Sequence, residues 1–428
     1  MSMGKPARLH YGWIVVMVAF VAMLVAAGIR STPGVLMIPL EEEFKWDRAT
    51  ISLGVAINLV LYGFSGPFVS ALMERYGVRR MMVMAMIMIL AGTGLTIWMF
   101  SAWQFHLLWG VVVGLGSGFF LTVLGAIVAS HWFVKNRGLV LGLLTASAAT
   151  GQLAFLPLLA YMIESYNWRT AIWILVGAAM LAVLVIAFLM RDTPEQMGLR
   201  PFGATLSDHA EQQPKRNPIA AAFRGLKLGV RSFDFWFLAG SFFICGLSTS
   251  GLIGTHLIPA SVHHGIPEVT AAGLLAMMGI FDIAGTMISG WLSDRWNNRW
   301  LLFWYYGLRG LSLMFLPSAL GSNHLSLIVF AVFYGLDWVA TVPPTVRLTA
   351  DVFGKQNAGI VYGWIFAAHQ LGAGVAAFGG GLMFTLFKEY DLTFILAGLF
   401  CLAASMMVLQ INRKRRKQEE AAVTAYNT

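Results

Sequence analysis

The chain has 428 residues, of which 58% are hydrophobic and 11% charged, and its formal net charge is +9. Soluble globular domains carry about 25% charged residues, so this composition excludes that class. Cys245 and Cys401 lie in separate apolar stretches, which excludes a disulfide framework and a cysteine-rich metal site.

Twelve predominantly apolar stretches follow one another along the chain, each long enough to cross ~30 Å of hydrocarbon as a helix. They are 11–40, 50–73, 81–100, 104–130, 138–163, 169–190, 233–258, 269–293, 300–320, 325–350, 358–386 and 391–411. Backbone polar groups must be paired inside a bilayer, and the alternating pattern of a barrel strand is missing, so these spans are expected to be helices. The sequence predicts an all-α polytopic membrane protein with twelve transmembrane helices.

The loops differ in positive charge. With the N-terminus placed in the cytoplasm, the inner segments carry 22 lysines and arginines and the outer loops carry 4. The positive-inside rule therefore predicts a plasma (inner) membrane protein with both termini cytoplasmic. Topology and contact with anionic lipid explain the basic charge, so no nucleic-acid partner is inferred. The first span is interpreted as a retained helix and not as a cleaved signal peptide.

One long polar segment, 191–231, separates six spans from six. It is interpreted as a cytoplasmic linker between an N-terminal six-helix bundle, 1–190, and a C-terminal bundle, 232–428, which ends in a basic tail. This division predicts two comparable halves.

Short repeats support the two halves. Leu72-Met-Glu-Arg75 recurs 220 residues later as Leu292-Ser-Asp-Arg295, and the segment 136–142 recurs at 357–363 with an offset of 221. Two matches at nearly one offset indicate a parallel duplication of a six-helix unit. The binding site of a protein built in this way is expected near mid-membrane between the halves.

The repeated loops also carry a family resemblance. The run Glu-Arg-Tyr-Gly-Val-Arg-Arg at 74–80 resembles the signature loop between helices two and three of the major facilitator superfamily, with Glu74 in place of the usual aspartate. The segment 290–295, together with Arg299, is similar to its degenerate second copy. The resemblance implies two six-helix halves around a central site. Acidic residues beside arginines predict a cytoplasmic gate of Glu74, Arg75, Arg79, Asp294 and Arg295, with topology-fixing positive charge as the alternative for Arg79.

Two further segments resemble the monocarboxylate transporters of this superfamily. The run 132–142 resembles the motif that opens their fifth helix, and Tyr11-Gly12-Trp13 resembles the one that opens their first. Phe281-Asp282 resembles their eighth-helix aspartate, although Thr286 stands where an arginine is expected. The related oxalate/formate exchangers have a basic residue midway along helix eleven, where this chain has His369. The resemblance implies an organic-anion substrate and leaves its identity open.

Five ionisable side chains lie deep inside the spans: Arg30, Asp282, Arg309, Asp337 and His369. A charge at the centre of a membrane helix costs at least ~2.5–3.5 kcal/mol on insertion scales, so such residues mark substrate or proton pathways. Arg30 lies between Gly28 and Pro33 in the first span, and its planar donor fork suits a carboxylate. The alternatives are an arginine that reaches the outer headgroups and a structural ion pair.

The other four charges belong to the C-terminal half. Helix nine is a scaffold helix in the resembled superfamily, so Arg309 is expected to form a structural pair with Asp337 or Asp282. The remaining aspartate and His369 are then candidates for the transported proton, with a hydrogen-bonded core histidine as the alternative for His369. Two arginines balance two aspartates, so a bound monoanion and one proton together keep the set neutral. This count predicts symport of an organic anion with a proton.

Further polar and aromatic residues are candidates for shaping a cavity, with packing roles as the alternative: Asn58, Gln152, Tyr334 and Trp338. Arg347 is expected to pair with Asp351 or to contact the inner gate. No nucleophile, metal or nucleotide constellation is found, so the sequence predicts a carrier without cofactor and not an enzyme. The carrier is expected to be a monomer.

Two other functions stay open at this stage. A proton-coupled drug or metabolite exporter is the nearer alternative, because Gly142 and Gly151 have the spacing of the exporters' fifth-helix motif. Phe155 and Leu156 stand where that motif has Gly-Pro, which favours uptake. A ligand-sensing receptor is the other, but the short linker and tail offer no signalling domain.

Overall fold

The structure of the chain is a computed structural model, which describes residues 10–120, 122–204, 218–322 and 324–411. The basic cluster at 413–417 and part of the linker lie outside the described residues. The described part is almost wholly helical, and its one bridge of extended backbone joins Phe133 to Phe202. The all-α fold predicted from the sequence is therefore confirmed.

Twelve long helices correspond to the twelve predicted spans. They are α1 Tyr11–Phe44, α2 Arg48–Tyr76, α3 Val78–Leu95, α4 Ala102–Trp132, α5 Arg137–Ser165, α6 Trp168–Leu189, α7 Phe233–His263, α8 Glu268–Ser293, α9 Asn298–Leu320, α10 Leu325–Phe353, α11 Lys355–Phe387 and α12 Asp391–Val408. A shorter linker helix, Pro218–Gly229, precedes α7.

Within the described residues, eleven of the helices are long and apolar enough to cross a membrane. The exception is α9, which has 23 residues and is long enough at ~1.5 Å per residue. It is less apolar because Arg309 lies in its middle, where the side chain is only 1% exposed. The twelfth span is therefore a helix whose charge is hidden inside the protein.

Short polar loops start several helices at defined residues. The Asp47 carboxylate accepts a hydrogen bond from the Thr50 backbone N–H at 2.7 Å and thereby caps α2. Hydrogen bonds from the Thr50 hydroxyl and backbone hold the pKa of Asp47 below its usual value. Asn167 caps α6 in the same way, with a distance of 2.9 Å to the Thr170 N–H. These caps fix where the helices begin.

Helices α2 and α11 carry the closest contact between the two halves, because glycines remove side chains from it. A Cβ added to Gly63 would lie 2.3 Å from the Cβ of Gln370, and one added to Gly381 would lie 2.4 Å from the Ser52 hydroxyl. Small residues allow membrane helices to approach in this way, and the two halves meet along this seam.

The two ends of the bundle differ in how the halves meet. We call the end with Lys45 and Lys388 the predicted outer end, and the end with Asn136 and Gly354 the predicted inner end. At the outer end, the last part of α1 packs against α7 and the start of α2 packs against α11. At the inner end, the last parts of α4 and α10 pack mainly within their own halves. A Cβ built on Gly138, Gly142 or Gly359 there would meet no described atom within 4 Å beyond its own chain neighbours and helix backbone. The halves are closed at the outer end and diverge toward the inner end.

Candidate substrate site

A small cavity lies between the halves and is lined from six helices. Its volume is about 30 Å³, room for one or two water molecules. Its polar walls are formed by Arg30 of α1, Gln152 of α5, Ser250 and Thr255 of α7, and Trp338 of α10. The structure thus brings together three residues that the sequence proposed for substrate binding. A substrate larger than two waters requires the halves to move apart.

The guanidinium of Arg30 is the charged group of this cavity. Its central carbon lies 4.6 Å from the centroid of the Tyr62 ring, a cation–π contact with α2. Among the described residues, none of the five ion pairs includes Arg30. A positive charge at a cavity wall without an acidic partner attracts an anion.

The helix around Arg30 is shaped by its neighbours. The hydroxyls of Ser31 and Thr32 donate to the carbonyls of Ala27 and Gly28 at 2.9 and 3.0 Å, and Pro33 opens the next turn. Such hydroxyl bonds commonly bend a helix. A Cβ on Gly28 would lie 2.3 Å from the Phe155 ring, so the close contact with α5 depends on glycine. This packing fixes the position of Arg30 along the cavity wall.

Two other predicted binding residues lie outside the cavity lining. The Asn58 side-chain amide donates to the Trp109 carbonyl at 2.7 Å, and Asn58 is only 2% exposed. The Tyr334 hydroxyl donates to the Ser248 carbonyl at 2.8 Å. Both polar groups are engaged by the protein, which favours packing roles.

Arg309 and Asp337 form a buried ion pair. The Arg309 Nε lies 2.6 Å from Asp337 Oδ2, and Nη2 lies 2.5 Å from the Asp337 carbonyl oxygen and 3.1 Å from that of Trp338. A third nitrogen, Nη1, lies 2.9 Å from the sulfur of Cys245. The guanidinium is thus held by four contacts within the C-terminal half. Buried charges are tolerated when they are paired and hydrogen-bonded in this way.

The same group of residues surrounds an interruption in α10 at 338–341. Asp282 Oδ1 of α8 accepts from the Val339 backbone N–H at 2.9 Å and from the Thr286 hydroxyl at 3.1 Å. The Ser289 hydroxyl donates to the Ala340 carbonyl at 2.5 Å. Side chains therefore supply the partners that a broken membrane helix loses. Trp338 lies in the break and lines the cavity. Hydrogen bonds therefore join this part of the cavity wall to Asp337, through Arg309, and to Asp282, through Val339.

His369 is enclosed by aromatic rings. Its ring lies parallel to Phe366 at a centroid distance of 5.7 Å and packs on Phe242 at 4.7 Å. Its Nδ1 has no hydrogen-bond partner among the described residues, and the residue is 8% exposed. A charged ring buried among aromatic side chains is unfavourable, so this position suits a neutral imidazole.

The residues proposed for a cytoplasmic gate form contacts with their own half or with the linker. Arg79 donates its backbone N–H to Asp192 at 2.7 Å and its guanidinium to the Ala187 carbonyl. Asp294 lies 3.6 Å from Arg347, which is also 3.9 Å from Asp351. In the same region Glu74 is exposed, the Arg75 guanidinium lies over Tyr76, and that of Arg295 lies over Trp291. These placements agree with the separation of the halves at the inner end.

Sequence reasoning did not single out Tyr62, Ser250 or Thr255. Tyr62 follows Asn58 by four residues, one helical turn, and a polar ring in an otherwise apolar span was a usable signal. The two hydroxyls on α7 gave none, because serine and threonine are ordinary members of membrane helices.

The fold and the cavity between its halves define a class of protein, the membrane carriers built from two helical bundles. The sequence profile of the Major Facilitator Superfamily matches residues 18–377 and 238–425, and the chain belongs to this family. Among solved structures, it resembles a bacterial homolog of the human lysosomal transporter Spinster in an inward-facing conformation, with a TM-score of 0.74, 15% identity and coverage of 96% and 98% of the two chains. It also resembles the D-xylose-proton symporter, with a TM-score of 0.72, 13% identity and coverage of 94% and 98%.

Curated relatives narrow the branch. The chain is 27% identical to monocarboxylate transporter 13 of Rattus norvegicus, over 95% of this chain and 90% of the relative. It is 24% identical to monocarboxylate transporter 4 of Mus musculus, over 96% and 86%. A third relative is the "Uncharacterized MFS-type transporter YcxA" of Bacillus subtilis, with 27% identity over 88% and 90%. The predicted resemblance to the monocarboxylate transporter branch is confirmed, and the chain is a transporter of this superfamily.

Proposed function

We propose that this transporter moves a small organic anion, a monocarboxylate, in symport with a proton. The observation that carries the proposal is the state of the two intramembrane arginines. Arg309 is held by Asp337, whereas Arg30 faces the cavity without an acidic partner among the described residues. A free guanidinium can hold a carboxylate through two parallel hydrogen bonds. Gln152, Ser250 and Thr255 offer further polar contacts around it.

The proton has two candidate carriers once Asp337 is paired. Asp282 accepts two hydrogen bonds on one oxygen, so its other oxygen is available for a proton. His369 is enclosed by the rings of Phe242 and Phe366 and is almost completely buried. Because burial among apolar rings disfavours a cationic imidazole, we assign the proton to Asp282. His369 then serves as a neutral neighbour of the site.

The pairing makes the charge count simple. Arg309 and Asp337 cancel each other, which leaves the positive Arg30 on α1 and the negative Asp282 on α8. A bound monoanion neutralises the first and a proton neutralises the second. The fully loaded carrier and the empty carrier are then both neutral, while a carrier with the anion alone is not. Burying uncompensated charge is costly, so movement between the two faces favours anion and proton together.

The architecture, orientation and location of the carrier complete the proposal. Two bundles, 1–190 and 232–428, alternate access around the cavity, and the linker 191–231 joins them on the cytoplasmic side. Both termini are cytoplasmic, the membrane is the plasma (inner) membrane, and the carrier is a monomer. The charge asymmetry of the loops supports this orientation.

Uptake into proteoliposomes tests the proposal. Purified protein is reconstituted, the membrane potential is clamped, and labelled L-lactate uptake is measured with and without an inside-alkaline pH gradient. We expect the gradient to accelerate uptake, and Arg30→Ala to lower uptake by at least ~10-fold, because a charge-assisted hydrogen bond is worth about 1.5–3 kcal/mol. Arg169→Ala, which removes a positive charge far from the cavity, is the matched control and keeps the parental rate.

Two results would contradict the proposal in different parts. If the rate of monocarboxylate uptake does not change with the imposed pH gradient, symport with a proton is excluded. A neutral or cationic compound that is transported equally well after Arg30→Ala excludes the anion class and favours the exporter.

A further inference from the structure

The predicted outer end holds a group of four polar side chains that join the two halves. They come from α1, the start of α2, the last third of α7 and the residue before α12, and we call them the outer latch: Glu41, Arg48, His256 and Tyr390. Three of them are almost completely buried, with exposed fractions of 7% for Arg48 and 0% for His256 and Tyr390. None belongs to the cavity lining or to the charges already described.

The outer latch is a continuous chain of contacts. Arg48 Nε lies 3.0 Å from Glu41 Oε2, and Arg48 Nη1 donates to the Tyr390 hydroxyl at 3.0 Å. That hydroxyl lies 3.3 Å from His256 Nδ1, and His256 Nε2 lies 2.7 Å from the Ala377 carbonyl of α11. The chain thus runs from the N-terminal half into two helices and a loop of the C-terminal half.

Aromatic and glycine contacts enclose this chain. The Arg48 guanidinium carbon lies 3.6 Å from the centroid of the Phe384 ring. A Cβ on Gly380 would lie 2.7 Å from the His256 ring, and one on Gly381 would lie 2.6 Å from the Arg48 carbonyl. The α2–α11 seam can close over the latch because these two positions have no side chain. In such a dry site a charge-assisted hydrogen bond is stronger than in water.

We propose that the outer latch is the outer gate of the transporter, and that the Arg48–Tyr390 hydrogen bond holds the outer end closed in the conformation seen here. Opening toward the outside must separate α2 from α11 at this point. The contact is then broken, and Arg48 keeps Glu41, because both residues belong to the N-terminal half. The latch therefore sets the balance between the closed and the open outer end without contacting substrate.

Cysteine labelling from the outside tests this gate without any substrate, so its outcome is independent of the anion proposal. The reporter is Val55→Cys, because Val55 lines the cavity from α2 and both native cysteines are buried. Right-side-out vesicles are treated with a membrane-impermeant maleimide. We expect Tyr390→Phe to raise the labelling rate at least ~10-fold, which follows from losing one hydrogen bond to a charged group, worth about 1.5–3 kcal/mol. Arg48→Gln removes the charge as well and should raise it further.

The matched control is Arg169→Gln. Arg169 forms a bidentate pair with Glu43 at 2.6 and 2.7 Å at the same end of the bundle, but both residues belong to the N-terminal half. Its loss should leave labelling unchanged. If Tyr390→Phe and Arg48→Gln, folded by gel filtration, label at the parental rate, the gate assignment is wrong. Should Arg48→Gln fail to fold, Tyr390→Phe decides alone, since it removes only one oxygen atom.

Discussion

The Arg309 guanidinium lies 2.6 Å from the Asp337 carboxylate, and the same guanidinium donates to the carbonyls of Asp337 and Trp338 at the break in α10. One arginine thus neutralises a buried acid and also donates hydrogen bonds to the backbone carbonyls of an interrupted helix. Trp338 in turn lines the cavity. The pair therefore holds the segment that carries Trp338, and its first consequence is for stability.

Breaking the pair from one side should destabilise the protein strongly. Arg309→Met leaves the Asp337 carboxylate buried and unpaired, and we expect a loss of about 3–5 kcal/mol. Arg309→Met combined with Asp337→Leu removes both charges and should recover part of that loss. Thermal unfolding of the purified variants measures both effects. If the double variant is as unstable as the sum of the two single variants, the two charges do not act as a pair.

Asp282→Asn should separate transport from proton coupling. The asparagine oxygen can still accept from Val339 and Thr286, so the break in α10 keeps its partners, but the side chain cannot carry the proton. We expect labelled-lactate exchange to persist while accumulation driven by a pH gradient is lost. Thr286→Val, which removes one hydrogen bond and leaves the carboxylate, should keep the gradient response. If Asp282→Asn still accumulates lactate normally in a pH gradient, the proton carrier is His369 and not Asp282. The variant His369→Gln then tests that assignment.

Trp338→Ala should change the size of acid that the carrier accepts. Trp338 lines this cavity of about 30 Å³, so removing the indole enlarges it. We expect weaker inhibition of lactate uptake by small monocarboxylates and stronger inhibition by aromatic ones, measured as a panel of inhibition constants. Trp304→Ala is the control, because Trp304 is 58% exposed on the outside of α9. An unchanged order of inhibitors in Trp338→Ala would remove the residue from the substrate site.

Asn58→Ala distinguishes a packing residue from a binding residue. Its amide bonds the Trp109 carbonyl inside the N-terminal half, so its loss should cost about 1–3 kcal/mol of stability. The KM for lactate should stay within ~2-fold of the parent, because Asn58 is absent from the cavity wall. Gln152→Ala, on the cavity wall, should show the reverse, a raised KM with nearly parental unfolding. A raised KM in Asn58→Ala at unchanged stability would restore the binding role that the sequence suggested.

Much of this molecule follows from the sequence, since a bilayer requires a fixed length of apolar helix. That requirement gave twelve spans with only small errors at their ends, such as the extension of α1 to Phe44. It also made the five buried charges recognisable in the sequence, because a charge is conspicuous among apolar residues. The direction in which each side chain points was not available, because an error of two residues in a helix rotates a side chain by about 200°.

The partner of Arg309 shows what only the tertiary structure decides. Asp282 lies 27 residues before it (309 minus 282) and Asp337 lies 28 residues after it (337 minus 309). Spacing gave no preference between them, and the packing of α9 against α10 made the choice. The outer latch could not be predicted for the same reason. Arg48 was only one of the four positive residues counted in the outer loops, and its bond to Tyr390 spans 342 residues. The chain encodes which segments enter the membrane through local hydrophobicity, whereas the arrangement of charges depends on how twelve helices pack.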